Sequence, residues 1–363
     1  MAIFGIFDKK RITESFFISS FGNNQTRGIY TFQVDIDNGE ILFRRHFKTP
    51  SDPVYGFNYG RFTCITYKNK TGTNGDGGIC SYAATADILA LISRISNNGK
   101  TYIHACTNGN HEMADKLFAV DYYNGEIMVA KIEKKKLITP VFNYKLKGSS
   151  IHPIKQRQSH PSFVGFTPDK KRLIVADLGT DKILLFKIEE KEIILDEKHS
   201  FALTPGSGPK KVMFNKRGTY AYILNELLST ICVYKYNDLK FELIQTIDTY
   251  PKNEFDGESM AGQMIFSEEE DYIFVTNRGH DSLTLMNLDQ KTGKLAYKEF
   301  ADTSANPCDL ALFKDHWIVV ICQKGGIVES YEFKSKRGGM IFETDYSYLV
   351  NEPVCITKFD SLY

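Results

Sequence analysis

The sequence lacks any Cys-x-x-Cys spacing, and its seven cysteines are odd in number and dispersed through strand-like segments. Zinc sites and disulfide frameworks need clustered or paired cysteines, so this pattern argues against both. The seven are interpreted as buried, reduced thiols. They are Cys64, Cys80, Cys106, Cys232, Cys308, Cys322 and Cys355.

The sequence also lacks an excess of charge of one sign and a long apolar run. Its 45 basic and 44 acidic residues leave a formal net charge of +1, which nominates neither nucleic acid nor an anionic membrane as a partner. No apolar run approaches the length of a membrane span. The apolar patch at residues 2–7 is short and is followed at once by Asp8, Lys9 and Lys10, unlike a signal peptide. We therefore expect a cytoplasmic protein.

Helical periodicity is weak throughout, and a repeat of short strands takes its place. Similar strand-opening segments recur at intervals of roughly 50 residues, which is typical of a β-propeller. The seven segments begin at Pro53, Tyr102, Pro161, Pro209, Ala261, Pro307 and Pro353. A repeat array around one axis can absorb the whole chain, so we expect a single domain over residues 1–363.

The unit that begins at Pro161 shows the repeat most clearly. It predicts strands at 163–166, 173–176, 182–188 and near 193–194, separated by turns such as Thr167-Pro168-Asp169-Lys170. The N-terminal unit has three strands and lacks an innermost one, while residues 353–359 supply a single strand. Placing that strand in the N-terminal blade closes the ring and removes both open edges. The prediction is an all-β, seven-bladed propeller with four antiparallel strands per blade.

Four segments carry a resemblance to a known family. They are residues 166–179, Pro205-Gly-Ser-Gly-Pro209, Tyr222-Ile-Leu-Asn-Glu226 and Asn277-Arg-Gly-His-Asp-Ser282. They resemble the seven-bladed β-propeller lactonase family, which includes bacterial propeller-type 6-phosphogluconolactonase and fungal carboxymuconate cyclase. The resemblance spans the chain and is most specific in blades four to six. It implies lactone chemistry without a metal or a cofactor and, for a 6-phosphogluconolactonase, carbohydrate metabolism in the pentose phosphate pathway.

The resemblance also implies site residues. They are His160 before the first strand of blade four, Lys210 after Gly-Pro in blade five, Asn225 and Glu226 ending the second strand of that blade, and Asn277 and Arg278 in blade six. Three positions depart from the family pattern. Lys210 stands where the family has Arg, Lys68 where blade two usually has Glu, and Gln263 where blade six usually has an acidic residue.

Strand geometry supports this grouping independently. In a meander the first strand runs away from one face and the second runs back, so first-strand starts and second-strand ends share a face. His160, Lys210, Glu226 and Arg278 should therefore meet at one mouth of the central channel. We hypothesise that Glu226 or His160 acts as the general base on water. Arg278 and Lys210 would stabilise the oxyanion or hold a substrate carboxylate or phosphate.

Each of these residues also has a simpler interpretation. Glu226 and Arg278 are alternatively an ion pair between blades, and His160 a loop cap. His104, in blade three, is a candidate substrate contact or a hydrogen-bonded core histidine. Arg157, in a longer inter-blade loop, either reaches an anion at the mouth or stays in solvent.

The sequence favours a lactonase acting on an anionic sugar lactone, with 6-phosphogluconolactone the first candidate. A non-catalytic propeller that binds a small molecule or a protein is the alternative from another class, and a carboxymuconate-type lactone cyclase is a third. We expect an anionic small molecule as the partner and a monomer or weak homodimer as the assembly. The glycine-rich residues 68–78 are expected to form a blade-two loop, since they lack the Lys-Ser/Thr ending of a phosphate loop.

Overall fold

The computed structural model describes residues 11–59, 62–68, 77–96, 99–108, 115–133 and 136–359. The apolar patch at residues 2–7 and most of the glycine-rich loop, residues 69–76, lie outside this part of the chain. The described residues form seven separate sheets, each with a four-stranded antiparallel meander. The seven-bladed propeller predicted from the repeat is confirmed.

The blades are numbered in chain order, and each is given from its innermost strand outward. Blade one consists of β29 (Pro353–Lys358), β1 (Thr13–Ser20), β2 (Gly28–Asp35) and β3 (Ile41–Lys48). Blade two consists of β4 (Asp52–Tyr59), β5 (Phe62–Lys68), β6 (Gly78–Ala84) and β7 (Leu89–Ser96). Blade three consists of β8 (Tyr102–Thr107), β9 (Lys116–Asp121), β10 (Glu126–Glu133) and β11 (Lys136–Lys145).

Blade four consists of β12 (Pro161–Phe166), β13 (Leu173–Asp177), β14 (Lys182–Ile188) and β15 (Ile193–Leu195), and a short extra strand, β16 (Phe201–Ala202), pairs with β14. Blade five consists of β17 (Pro209–Phe214), β18 (Tyr220–Asn225), β19 (Thr230–Asn237) and β20 (Lys240–Asp248). Blades six and seven consist of β21 (Met260–Phe266), β22 (Tyr272–Arg278), β23 (Ser282–Leu288) and β24 (Leu295–Asp302), and of β25 (Pro307–Phe313), β26 (Trp317–Cys322), β27 (Ile327–Phe333) and β28 (Ile341–Leu349).

Helical backbone in the described ranges is confined to two single 3₁₀ turns, at Lys252–Glu254 and Ser335–Arg337. No helix among the described residues is long and apolar enough to cross a membrane. Residues 85–88 form a turn that leads into β7.

The C-terminal strand closes the ring as predicted. β29 pairs antiparallel with β1, with Ile356 opposite Ile18. Ile356 is 7% exposed and packs in the core between blades seven and one, with Phe16 and Phe313. Because β29 is the innermost strand of the N-terminal blade, the two ends of the chain share one hydrogen-bonded sheet, and neither leaves an open edge.

The main hydrophobic cores lie between neighbouring blades. Ile174 and Ile183 of blade four, for example, pack against Val212 and Ile223 of blade five. Alternate residues of each strand point to its two faces, so a central strand such as β13 is buried on both sides. This explains the nearly continuous apolar second strands of the sequence.

Every innermost strand carries an irregularity in register near its start. In β17, Pro209 pairs with Asn225 and Lys211 with Leu224, which leaves Lys210 as the extra residue of a bulge. Equivalent shifts occur in the innermost strands of the other six blades. A bulge re-aims the side chains around it. As a result, two consecutive residues of each innermost strand line the channel.

Candidate active site

A cavity of about 310 Å³ occupies one mouth of the central channel. Each blade contributes two consecutive residues from its bulged innermost strand, such as Lys210 and Lys211 in blade five. Above them lies a ring of residues that end or follow the second strands. Those that line the cavity are Phe21, Tyr122, Leu178, Glu226, Arg278 and Gln323.

The charged residues of the cavity gather around Glu226. Its Oε2 lies 3.0 Å from Lys210 Nζ and 3.1 Å from Arg278 Nη2, and its Oε1 lies 3.3 Å from Lys155 Nζ. We call Lys155, Lys210, Glu226 and Arg278 the charge cluster. Three cations surround one carboxylate, so the cluster holds two more positive than negative charges. Of the four residues expected at this mouth, the structure brings Lys210, Glu226 and Arg278 together in the cavity and places His160 outside its lining.

The electrostatics of the cluster keep Glu226 ionised. Burial by itself acts to raise the pKa of this carboxyl, whose side chain is only 13% exposed. The charges of Lys210, Arg278 and Lys155 outweigh burial and hold the pKa well below its usual range. Burial and the like charge of Arg278 lower the pKa of Lys210 despite its pairing with Glu226. The charge of Glu226 is therefore fully compensated, whereas the three cations share a single negative charge.

Arg278 has donor capacity left over. Its Nη2 donates to Ala261 O at 3.2 Å as well as contacting Glu226. Its Nε is buried, and no described residue accepts a hydrogen bond from it. A buried guanidinium N–H without an acceptor is costly in a folded protein.

Sequence reasoning missed Lys155 as a member of the cluster. It lies in the loop between blades three and four, and its Nζ also contacts Met260 Sδ at 2.7 Å. A loop has no strand alternation from which the direction of a side chain can be inferred. The only available signal was that this loop runs along the same face as His160.

His160 lies beside the cavity, behind Tyr122. The two rings stack with centroids 4.4 Å apart, and Tyr122 lines the cavity. The backbone N–H of His160 donates to Asp177 Oδ1 at 2.7 Å, and its Nδ1 lies 2.7 Å from Tyr122 O. Because a carbonyl only accepts, Nδ1 carries the proton, which leaves Nε2 of a neutral ring as a proton acceptor.

Three predicted contacts need correction. The amides of Asn225 and Asn277 point into their own blades, because adjacent residues of a strand face opposite sides and Glu226 and Arg278 take the channel side. Asn225 Nδ2 donates to Thr230 Oγ1 at 3.0 Å, and Asn277 Nδ2 donates to Thr284 Oγ1 at 3.0 Å. Arg157 is exposed and donates through Nε to its own loop, at Pro153 O, away from the cavity.

His104 lines the cavity at a deeper level. Its ring lies between Tyr55 and Phe163, with centroid distances of 4.5 and 4.6 Å. Burial, aided by the charge of Lys211, lowers its pKa to about 3, so the ring is neutral near pH 7. Its Nδ1 accepts from the backbone N–H of Val164 at 3.4 Å, which leaves the other nitrogen of the neutral ring as a donor.

A second polar network crosses the channel at this level. Lys211 Nζ donates to Gln263 Oε1 at 2.7 Å, and Gln263 Nε2 donates to Asp309 Oδ1 at 3.0 Å. Asp309 Oδ2 accepts from the backbone N–H of Ile356 in the closing strand at 3.0 Å. The network separates the cavity from a second one of about 440 Å³ on the other side of the channel. Gln263, one of the departures from the family pattern, links these two charges.

The cavity is uneven in character. Blades five and six carry Lys210, Glu226 and Arg278, whereas blades one to three contribute a group of apolar side chains beside His104 and Tyr122. We call that group the apolar arc; it consists of Phe21, Val54, Ile103 and Val354. Lys68, another departure, lies at its rim with Nζ 6.0 Å from the Phe21 ring centroid.

The closed ring and the charge cluster define a seven-bladed propeller with a charged cavity, a candidate ligand site, at its channel mouth. The sequence profile described as "Lactonase, 7-bladed beta-propeller" matches residues 15–358, and the chain belongs to this family. The resemblance inferred from the sequence is confirmed.

Individual relatives are distant but match along almost the entire chain. The 6-phosphogluconolactonase of Bacillus subtilis strain 168 is 25% identical over 354 residues, which cover 94% of this chain and 97% of the relative. The solved periplasmic gluconolactonase of Pseudomonas aeruginosa has a TM-score of 0.87 at 22% identity and covers 96% of this chain and 99% of its own. A Lactobacillus plantarum structure has a TM-score of 0.86 at 20% identity, covering 96% and 100%. At these identities the solved structures establish the fold.

Proposed function

We propose that this protein hydrolyses an anionic lactone, with 6-phosphogluconolactone as the first candidate. The observation that carries the proposal is the charge cluster at the channel mouth, where three cations surround a single carboxylate. The family and the 6-phosphogluconolactonase name of the Bacillus subtilis relative support the reaction class.

The excess charge of the cluster favours a dianionic group. Two uncompensated positive charges complement a phosphate monoester or a pair of carboxylates. In this proposal Lys210, Arg278 and Lys155 hold the anionic group and stabilise the negative charge that develops on the lactone carbonyl.

The same arrangement makes the basicity of Glu226 depend on the substrate. In the free protein the three cations keep its pKa well below the usual range, so it accepts a proton poorly. A bound anion shares those cations and raises the proton affinity of Glu226. Neutral lactones do not provide this activation, which gives a physical reason for selectivity. His160, with Nε2 free to accept a proton, is the other candidate base and would require Tyr122 to move.

A carboxylated lactone with a hydrocarbon edge, as in carboxymuconate chemistry, is the second candidate. The apolar arc favours it, because sugar hydroxyls placed against Val54, Ile103 and Val354 would find few hydrogen-bond partners there. We also propose a cytoplasmic location, where the seven unpaired thiols would stay reduced.

The test is a pH-stat assay with freshly prepared 6-phosphogluconolactone, corrected for spontaneous opening. Neutral gluconolactone is the matched substrate and Glu226→Gln the variant. Glu329→Gln is the control, because that carboxylate accepts from neutral groups of Ser304 and Tyr331. We expect acceleration of the phosphorylated lactone alone, lost in Glu226→Gln and kept in Glu329→Gln. No acceleration by the folded wild type would remove this substrate. Unchanged rates in both Glu226→Gln and His160→Ala would refute the assignment of the base.

A further inference from the structure

A buried carboxylate outside the cavity connects the two loops that carry Lys155 and Lys210. Asp181 lies in the turn between β13 and β14, with left-handed backbone (φ 55°), and is 2% exposed. Its Oδ1 accepts from Gln156 Nε2 at 2.8 Å and from Gly208 N at 2.6 Å. Its Oδ2 accepts from Ser150 Oγ at 2.5 Å and from Gly206 N at 2.6 Å. Four donors from two loops thus meet on one side chain.

The first of these loops delivers Lys155. Gln156, the next residue, is fully buried, and its Nε2 also donates to Leu178 O at 2.7 Å. Its Oε1 accepts from His152 N at 3.0 Å, which fixes the turn of backbone before Lys155. The link from Asp181 to Gln156 therefore sets where the Lys155 ammonium can reach.

The second loop delivers Lys210 and holds Glu226. Gly208 N donates to Asp181, while Gly208 O accepts from the backbone N–H of Glu226 at 2.7 Å. Lys210, the bulged residue of β17, lies two positions further along the chain. One short segment fixed by Asp181 thus sets the separation of Lys210 and Glu226.

We infer that Asp181 is a positioning residue for anion binding, holding Lys155, Lys210 and Glu226 in the arrangement that receives the negatively charged group of the substrate. The inference rests on the proposed anion-binding function of the charge cluster. Asp181 touches no cavity atom, so it acts only through the two loops it joins.

Blade six contains a matched position that holds neither Lys155 nor Lys210. Asp281 occupies the same place after the second strand, again with left-handed backbone (φ 53°). Its Oδ1 accepts from Gly279 N at 2.9 Å and from Asn306 N at 2.8 Å. Asn306 leads into Pro307 and the uncharged Cys308, and Gly279 directly follows Arg278. This carboxylate therefore braces the turn after one cation of the cluster but holds neither the Lys155 loop nor the Lys210 loop.

The experiment compares Asp181→Asn with Asp281→Asn in the full-length protein. Asparagine keeps the shape of the side chain, but in either orientation its NH₂ group faces two of the four donors. The measurements are the Kd for inorganic phosphate by calorimetry, kcat and KM for 6-phosphogluconolactone, and the melting temperature. We expect Asp181→Asn to raise the phosphate Kd and KM about tenfold or more, with a smaller change in kcat. Asp281→Asn should lose thermal stability and raise Kd and KM less than Asp181→Asn does, because it leaves the contacts of the Lys155 and Lys210 loops in place.

The outcomes separate this inference from the proposed function. A wild-type phosphate Kd in Asp181→Asn, or equal losses in the two variants, would overturn it, as would a wild type that binds no phosphate. If the wild type opens no lactone but Asp181→Asn alone weakens phosphate binding, the positioning function stands and the lactonase proposal fails. Should Asp181→Asn not fold, Gln156→Met removes the side-chain bonds that hold the Lys155 loop and leaves the bonds of Asp181 to Gly206 and Gly208 in place. It is expected to weaken phosphate binding, and an unchanged Kd would again overturn the inference.

Discussion

Replacing Glu226 by Gln should destabilise the protein and at the same time make it respond more strongly to phosphate. The substitution removes the single carboxylate shared by Lys155, Lys210 and Arg278 and leaves three cations facing one another. Breaking a buried ion pair on one side costs roughly 3–5 kcal/mol. The cations are 17–31% exposed, so solvent screening reduces the expected loss to about 2–3 kcal/mol.

The loss converts to a measurable change in melting temperature. An unfolding entropy of about 2.1 cal/mol/K per residue gives about 0.8 kcal/mol/K for a chain of 363 residues, so the melting temperature should fall by about 3–4 °C. Phosphate binds the folded state of the variant at its unpaired cations and should raise its melting temperature more than that of the wild type. Scanning calorimetry at pH 7 and low ionic strength measures both effects.

The pH dependence of the melting temperature provides a further test, because the direction of the change can be predicted. The folded-state pKa of Glu226 lies well below its value in the unfolded chain. Its stabilising contribution is therefore complete above a pH of about 4.5 and is lost as the pH falls through the folded-state pKa. The difference in melting temperature between wild type and Glu226→Gln should shrink as the pH falls below that value. Equal melting temperatures at pH 7, or an equal response to phosphate in wild type, Glu226→Gln and the control Glu329→Gln, would refute the reasoning.

The remaining predictions concern the base, the ring closure and the thiols. His160→Ala is expected to lower kcat on the anionic lactone by about 10²–10⁴-fold if His160 is the base, with KM nearly unchanged; an unchanged kcat leaves Glu226 as the base. Ile356→Ala should cost about 2–4 kcal/mol in the free energy of unfolding, measured in urea, since Ile356 is 7% exposed in the closing strand; a loss below 1 kcal/mol contradicts that packing. Native protein at pH 8 should react slowly with a thiol reagent, because burial raises the pKa of Cys64 to about 12 and of Cys80 to about 11, and all seven thiols should react after unfolding. Fast labelling of these two cysteines in the native protein would contradict their burial.

Much of the fold could be predicted from the sequence, because most strands of a propeller pair with strands that are close to them in the chain. Each meander pairs neighbouring segments, and turns such as Thr167-Pro168-Asp169-Lys170 separate them at fixed offsets. The incomplete N-terminal unit and the lone C-terminal strand imply each other, since an open edge is unfavourable. Blade number, strand order and ring closure follow from these features alone.

The candidate site could be predicted only in part from the sequence. The up-and-down path of the strands was enough to bring Lys210, Glu226 and Arg278 to one mouth. It also implied that Asn225 and Asn277 face away, because strand neighbours alternate, although the motif resemblance grouped them with the site.

Only the tertiary structure decided the rest. The bulge that turns both Lys210 and Lys211 into the channel depends on pairing with β18, and such irregularities leave no fixed sequence signal. Lys155 reaches Glu226 because a long loop is folded against Asp181 by hydrogen bonds between residues distant in the chain. The sequence by itself determined which strands pair and which face carries the site; three-dimensional packing decided which side chains meet there, because loop paths and bulges depend on contacts that no local pattern encodes.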